Sequence, residues 1–207
     1  MKLYGEPGWG SVLVEAQLAW YGLDFDFVKT GDLFADASAR AALEKFNPLA
    51  QIPTLVLPSG EVMTESAAIT LWLADLTKSD DLVPRAGESE RARFLRWLIF
   101  ITSNIYPTYT YADDPSRFVS DEGAREGFAE KVFAYGRKLY GVLNEEARGD
   151  WFLGERFSAI DIYIGAMSHW RPRRAWFDEN APKLAAIADR ALALPRLAEV
   201  WARNYPG

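Results

Sequence analysis

The stretch that decides the fold of this chain is residues 47–69, which read NPLAQIPTLVLPSGEVMTESAAI. Its apolar run 52–57 carries a proline at the start, where the missing ladder N–H of a strand is tolerated. The Pro-Ser-Gly turn at 58–60 and the apolar return at 61–63 predict a β-hairpin. Apolar periodicity over 66–76 predicts a helix. The stretch therefore predicts two antiparallel strands followed by a covering helix.

The residues before this stretch supply the rest of an α/β layer. Residues 2–4 are an apolar run stopped by glycine and proline, which predicts a buried strand. Helical spacing over 11–21, with Gly22 as the C-terminal stop, predicts a helix. Alternation over 25–28 predicts a second strand, and the composition of 34–45 predicts a second helix. The predicted order βαβαββα is an α/β arrangement.

A polar segment separates this region from a different pattern. Residues 78–87 contain Pro84 and Gly87 and predict a linker after a first domain over 1–77. Strand signals vanish beyond the linker, so residues 88–207 are predicted to form an all-helical domain. Its predicted helices are 88–111, 121–147 and three shorter segments near 159–169, 178–190 and 195–203. Pro107 predicts a kink in the first of them.

Composition narrows the possible functions. The formal net charge is −6, which disfavours a nucleic-acid partner because phosphate binding depends on Lys and Arg. The chain has no cysteine, so it offers no disulfide, no thiolate metal site and no protein thiol as nucleophile. A single histidine, His169, argues against a zinc site or a His-dependent triad. No metal is predicted, and any sulfur chemistry must arrive with a ligand.

The first residues and the hydropathy of the chain predict its cellular compartment. The start MKLYGEPG lacks the basic and apolar regions of a secretory signal. No apolar run reaches the roughly 18 residues of a membrane-spanning helix. These features predict a cytoplasmic protein without a membrane partner.

Two motifs carry a resemblance to a known family. The runs Asn47–Leu55 and Glu65–Ile69 resemble the glutathione transferase pattern NPxGxVPxL followed by E/QSxAI. Ser158–Asp161, preceded by Trp151–Gly154, resembles the N-capping box of that family's helical domain. Ala50 departs from the pattern, which commonly has glycine there. The resemblance implies a thioredoxin-like N-terminal domain followed by an all-α domain.

The resemblance also implies a set of glutathione contacts. The proline of the motif, Pro53, would be cis, and Ile52 would present its backbone to the cysteinyl part of glutathione. Ser66 begins a predicted helix, where backbone N–H groups and the helix dipole favour the γ-glutamyl carboxylate. Glu65 has the charge to pair with the γ-glutamyl ammonium. Gln51 would bond the glycyl carboxylate or a backbone group, or lie in a surface loop.

The family's chemistry requires a donor that stabilises the glutathione thiolate. Ser11, at the start of the first helix, is the predicted catalytic donor, with a plain helix-capping role as its alternative. Tyr4 and the backbone N–H of Gly10 are the other candidates. Gly10 stands where some bacterial relatives carry cysteine, so the chain resembles a serine-type or unclassified bacterial member and not the cysteine-dependent beta class.

Aromatic residues are the candidates for the electrophile pocket. Tyr106, Tyr109 and Tyr111 lie near the end of the first long helix, in the region that faces glutathione in this family. A wall rich in tyrosine suits a hydrophobic electrophile, and aromatic packing between helices is the alternative. Trp9 would either line the site or pack at a domain or subunit interface.

These residues together predict a function. The resemblance implies a homodimeric detoxifying glutathione transferase that uses glutathione as cosubstrate and transfers it to a small hydrophobic electrophile. A noncatalytic glutathione-binding protein of the same fold is the first alternative. A glutathione-dependent peroxidase, isomerase or lyase is the other.

Overall fold

The structure, a computed structural model, describes residues 1–206. The chain divides into two compact units. The first contains Met1–Val83 together with the segment from residue 190 onward, and the second is Pro84–Asp189. The predicted domains 1–77 and 88–207 differ from this division chiefly in the last segment, whose side chains contact helix α1 of the first unit, as described below.

The first unit contains a four-stranded mixed sheet in the order β2-β1-β3-β4. Its strands are β1 (Lys2–Gly5), β2 (Asp26–Lys29), β3 (Thr54–Val56) and β4 (Val62–Met63). Its helices are α1 (Val12–Tyr21), α2 (Ala37–Glu44) and α3 (Ser66–Thr77). Strands β1 and β2 are parallel, whereas β3 is antiparallel to both β1 and β4. This arrangement confirms the predicted thioredoxin-like βαβαββα order.

The core of this unit forms where α1 and α3 cover the sheet. Its fully buried members are aliphatic residues from both helices and from the central strands, namely Leu3, Val14, Leu18, Leu55, Ile69 and Leu73. Helix α1 stops at Gly22, whose left-handed backbone (φ 66°) closes the helix as predicted.

The second unit is helical. Its helices are α4 (Arg91–Phe100), α5 (Tyr106–Asp113), α6 (Glu122–Glu146), α7 (Ala159–Met167), α8 (Arg174–Asn180) and most of α9 (Pro182–Leu192). A π-helical turn, Ile101–Ile105, joins α4 to α5. It ends two residues before Pro107, which has no N–H to donate and would crowd the carbonyl of the preceding turn in a regular helix. The predicted helix 178–190 is instead two helices, because Ala181 leaves the helical conformation (φ −141°, ψ 57°) and Pro182 begins α9.

The described chain ends in α10 (Ala198–Asn204), which packs with α1. Trp201 anchors the segment by donating its indole N–H to the carbonyl oxygen of Ala191 at 3.0 Å. None of the helices within residues 1–206 combines the length and the apolar character that a membrane crossing requires.

Helix α7 begins at a fully buried capping box, as predicted. One carboxylate oxygen of Asp161 accepts the backbone N–H and the hydroxyl of Ser158 at 2.7 and 3.0 Å. Its other oxygen accepts the N–H of Phe152 at 2.7 Å. Asp161 thus satisfies the helix start and also ties the preceding loop to it.

Candidate functional site

The register of the sheet brings two predicted segments to one level. Strand β3 pairs with β4 through Leu55 with Met63 and Val56 with Val62. Continued by two residues, this register sets Pro53 level with Glu65. The pairing of Tyr4 with Thr54 likewise sets Gly5, the last residue of β1, level with Pro53. The end of β1, the cis-proline segment and the start of α3 therefore share one edge of the unit.

The start of α3 is built to receive charge of both signs. Ser66 is the first helical residue and is buried, and no side chain caps the helix. The N–H groups of the first helical turn and the hydroxyl of Ser66 are thus available to a carboxylate. Glu65 has an exposed side chain and a positive φ of 61°. This pair suits an α-amino acid head group, which carries a carboxylate and an ammonium.

The segment before β3 is held by its own polar network. The side-chain amide of Asn47 and the hydroxyl of Thr54 both donate to the carbonyl oxygen of Gln51, at 2.9 and 2.8 Å. The Ile52–Pro53 peptide bond is cis. The side chain of Gln51 is exposed, and that of Ile52 packs on a small apolar cluster formed by Leu33, Leu43 and Ala50.

The structure accommodates alanine at position 50, where the family motif commonly has glycine. Its φ is 49°, in the left-handed region that glycine enters without strain. Its methyl group is buried in the apolar cluster with Leu33 and Leu43. The backbone shape that the motif's glycine permits is therefore present here with alanine.

Ser11 does not have the surroundings that its predicted role requires. Its side chain is fully buried. Its hydroxyl donates to the carbonyl oxygen of Glu6 and accepts the N–H of the same residue, both at 3.2 Å. Because both bonds stay within the loop between β1 and α1, the structure does not support the Ser11 hydroxyl as a donor to a sulfur ligand. The residue braces the loop instead.

The two alternatives to Ser11 have different surroundings. The backbone N–H groups of Gly10 and Ser11 have no hydrogen-bond partner among residues 1–206. They lie at the start of α1, where the helix dipole favours an anion. Tyr4 packs its ring against Phe46, with 5.0 Å between centroids, and belongs to the periphery of the apolar cluster near Ala50. Of these two alternatives, Gly10 thus offers an open backbone N–H at a helix start, whereas the ring of Tyr4 packs in the cluster.

Trp9 lies in the same loop and packs with the first unit. Its ring is 5.2 Å from that of Phe34, centroid to centroid, and it borders the apolar cluster with Tyr4 and Ile52. The indole is half-buried. It therefore forms an apolar surface beside the Gly10 backbone.

The three predicted pocket tyrosines separate into two groups in the second unit. Tyr106, Tyr109 and Trp170 meet edge to face, with centroid distances between 5.6 and 6.0 Å. Tyr111 instead packs on Phe118 and is 43% exposed. The structure brings Tyr106 and Tyr109 together and leaves Tyr111 apart from them.

Tyr109 takes part in a buried phenol pair. Its hydroxyl contacts that of Tyr140 and donates to the carbonyl oxygen of Arg171 at 3.0 Å. Burial raises the pKa of both phenols, so both stay neutral in the physiological range. The pair borders a cavity of about 200 Å³ whose other lining residues are Thr108, Phe133, Gly136, Arg137, Arg171 and Pro172.

Sequence reasoning missed two residues that hold the loop containing Gly10. Asn204 in α10 accepts the N–H of Gly8 at 2.9 Å. Glu15 in α1 is fully buried and accepts the side-chain amide of Asn204 at 2.9 Å. The bond from Gly8 to Asn204 spans 196 positions, and no local pattern marks either residue.

The chain's only histidine offers a probe of the second unit. Burial, followed by the charges of Arg174 and Arg173, lowers the pKa of His169 below 6.5. An unfolded histidine binds its proton more tightly, so this group's contribution to stability is lost as pH falls from 6.5 through the folded pKa. NMR titration of the single imidazole should give a pKa below 6.5 and a higher value in Arg173→Gln. Arg137→Gln is the control and should leave it unchanged, and a wild-type pKa above 6.5 would contradict the prediction.

Comparison with known proteins identifies relatives of this chain. The N-terminal domain model of glutathione S-transferase matches residues 14–76. The uncharacterized GST-like protein YncG of Escherichia coli K12 is 39% identical over 205 residues, which cover 99% of this chain and 98% of that protein. The glutathione S-transferase GstA of Escherichia coli O157:H7 is 25% identical over 198 residues, 95% of each chain.

A solved structure extends the likeness to the whole fold. A sphingomonad glutathione S-transferase in complex with glutathione is 28% identical and superposes with a TM-score of 0.79 over 100% of both chains. The likeness thus spans both the sheet-containing and the helical regions. With 39% identity to YncG over 99% of its length, this chain belongs to the glutathione S-transferase family.

Proposed function

We propose that the chain binds glutathione, stabilises its thiolate and transfers it to a small hydrophobic electrophile. The observation that carries this proposal is the start of α3. There the hydroxyl of Ser66 and the uncapped N–H groups can donate to a carboxylate, and the exposed carboxylate of Glu65 can accept hydrogen bonds from an ammonium. The γ-glutamyl end of glutathione has both groups on one carbon.

The rest of glutathione fits the same edge of the sheet. With its head group at Glu65 and Ser66, the peptide continues past the level of Pro53, where Ile52 can pair with the cysteinyl backbone. Gln51, with its exposed side chain, is the proposed partner of the glycyl carboxylate.

The proposed thiolate donors are backbone N–H groups. A free thiol has a pKa of ~8.5, and lowering it by about 2 units needs about 2.7 kcal/mol of preferential thiolate stabilisation. Hydrogen bonds to charged groups contribute about 1.5–3 kcal/mol each. The open N–H groups of Gly10 and Ser11 can therefore supply the shift without a side-chain hydroxyl.

The transfer step needs no protein nucleophile. The sulfur of the thiolate attacks the electrophilic carbon, a carbon–sulfur bond forms, and the leaving group departs with its electron pair. Trp9 offers an apolar surface beside the donors, and the aromatic cluster of Tyr106 and Tyr109 is the proposed surface for the electrophile. Tyr111 packs on Phe118 instead, so its proposed part in electrophile binding is smaller than that of Tyr106 and Tyr109.

Noncatalytic glutathione binding is the second candidate, and the enclosed hydroxyl of Ser11 favours it. The two candidates share the head-group site and differ in thiolate stabilisation. Turnover of an aromatic halide with glutathione separates them, because a noncatalytic protein will bind glutathione without raising the conjugation rate.

The head-group site is tested by calorimetric titration with glutathione. Ser66→Ala should weaken binding at least tenfold, about 1.4 kcal/mol, because a bond to a carboxylate is lost. Cysteinylglycine lacks the γ-glutamyl head and should bind wild type and Ser66→Ala equally. Ser59→Ala, in the exposed turn of the same hairpin, is the matched control and should bind glutathione like wild type.

Two results would overturn the proposal. Absence of glutathione binding to the wild-type chain would remove its basis. An unchanged affinity in Ser66→Ala, with Ser59→Ala as reference, would show that the start of α3 does not hold the head group.

A further inference from the structure

A buried carboxylate links α1 to the C-terminal helix. Glu15 has no exposed surface, and its carboxylate pairs with the guanidinium of Arg203 and accepts the amide of Asn204. Burying a carboxylate costs several kcal/mol unless its oxygens find such partners. The glutathione site proposed above does not use Glu15. The burial of its carboxylate must therefore be explained by its partners Arg203 and Asn204.

Asn204 links Glu15 to the loop before α1 through hydrogen bonds. Its amide nitrogen donates to Glu15 and to the carbonyl oxygen of Val200, both at 2.9 Å. These two acceptors fix which end of the amide is the NH₂ group. The amide oxygen must therefore face the N–H of Gly8, which lies 2.9 Å away.

The loop geometry fits this contact closely. Gly8 has a φ of 79°, which favours glycine. A Cβ atom at this position would lie only 3.2 Å from the backbone oxygen of Asn204. Ser11 holds the other end of the loop through the backbone of Glu6. Gly10, whose N–H is a proposed thiolate donor, thus lies between two anchored points.

We propose that Asn204, oriented by Glu15, is a positioning residue that holds Gly8–Ser11 in the conformation that stabilises the thiolate. This inference rests on the proposed function. Donors stabilise developing charge best when they are fixed before the ligand arrives. Neither residue touches glutathione in the proposal, and both act through the loop.

The direct test measures the pKa of the glutathione thiol bound to the protein, from the ultraviolet absorbance of the thiolate across a pH series. In Asn204→Ala this pKa should rise toward the free value, and kcat/KM with an aromatic halide at neutral pH should fall about tenfold, equal to about 1.4 kcal/mol. The dissociation constant of glutathione should change less than about threefold, because the head-group site is untouched.

A matched control separates positioning from folding. Asn144 is also 5% exposed and also accepts backbone N–H groups, those of Lys183 and Leu184 in the second unit. Asn144→Ala should lower the melting temperature and leave the bound thiol pKa at its wild-type value. If Asn204→Ala does not fold, Glu15→Gln decides, since it keeps the shape and should give a smaller rise in the same direction.

The outcomes distinguish the two proposals. Wild type without glutathione binding or without a thiolate signal contradicts the proposed function. A wild-type thiolate signal with an unshifted thiol pKa in the foldable variants of Asn204 and Glu15 overturns the positioning role alone. An equal shift in Asn144→Ala also overturns it, because the effect would then be one of general destabilisation.

Discussion

Replacing Asp161 by alanine should lower the free energy of unfolding by about 3–5 kcal/mol. The carboxylate accepts three hydrogen bonds in a fully buried position. Alanine would leave the N–H groups of Phe152 and Ser158 without an acceptor. Each buried, unsatisfied group costs about 1–3 kcal/mol, and the lost cap adds about 1 kcal/mol.

Asp121 provides the matched control for this prediction. It also precedes a helix, α6, and accepts one N–H from Gly123 at 3.0 Å, but it is exposed to solvent. Asp121→Ala should therefore cost only about 1 kcal/mol. Chemical denaturation followed by circular dichroism measures both. Equal losses in the two variants would show that burial of the box around Asp161 does not set its contribution.

Gly5→Ala should be the most damaging small-to-large change at the site edge. A Cβ atom at Gly5 would lie 2.3 Å from Oγ and 2.4 Å from Cβ of Ser11. Neither side can give way, because Ser11 is buried and bonded to the backbone of Glu6. We expect a loss of about 3 kcal/mol, at the upper end of the usual cost of overpacking, measured as the shift in denaturation midpoint.

A second substitution tests the cause. Ser11→Gly removes both clashing atoms, so Gly5→Ala with Ser11→Gly should recover at least about 1 kcal/mol relative to the sum of the single changes. Gly127→Ala in helix α6 is the control, since its Cβ would meet nothing within 4 Å, and it should be neutral or stabilising by up to about 1 kcal/mol. Additive single effects would contradict the proposed clash.

Much of the fold could be predicted because its determinants are local. The apolar run at 54–56, the turn at 58–60 and the left-handed stop at Gly22 each depend on a few adjacent residues. The capping box of Asp161 is also local, since it spans three positions. The break before Pro182 shows the limit of periodicity, because the apolar spacing continues past a proline before which Ala181 leaves the helical conformation.

The candidate site was only partly predictable. The contiguous residues Glu65 and Ser66 lie where the motif placed them, at the start of a helix. Tyr106, Tyr109 and Tyr111 occupy one short helix, yet only the first two share a cluster, because a helix turns neighbouring side chains to different faces.

The sequence by itself determined the order of strands and helices, the family motif and the charges at the start of α3, because these reside in neighbouring residues. The tertiary structure alone decided that the Ser11 hydroxyl is enclosed and that Asn204 holds Gly8. Both depend on which distant surfaces pack together, and packing orients a side chain by contacts that local sequence does not encode.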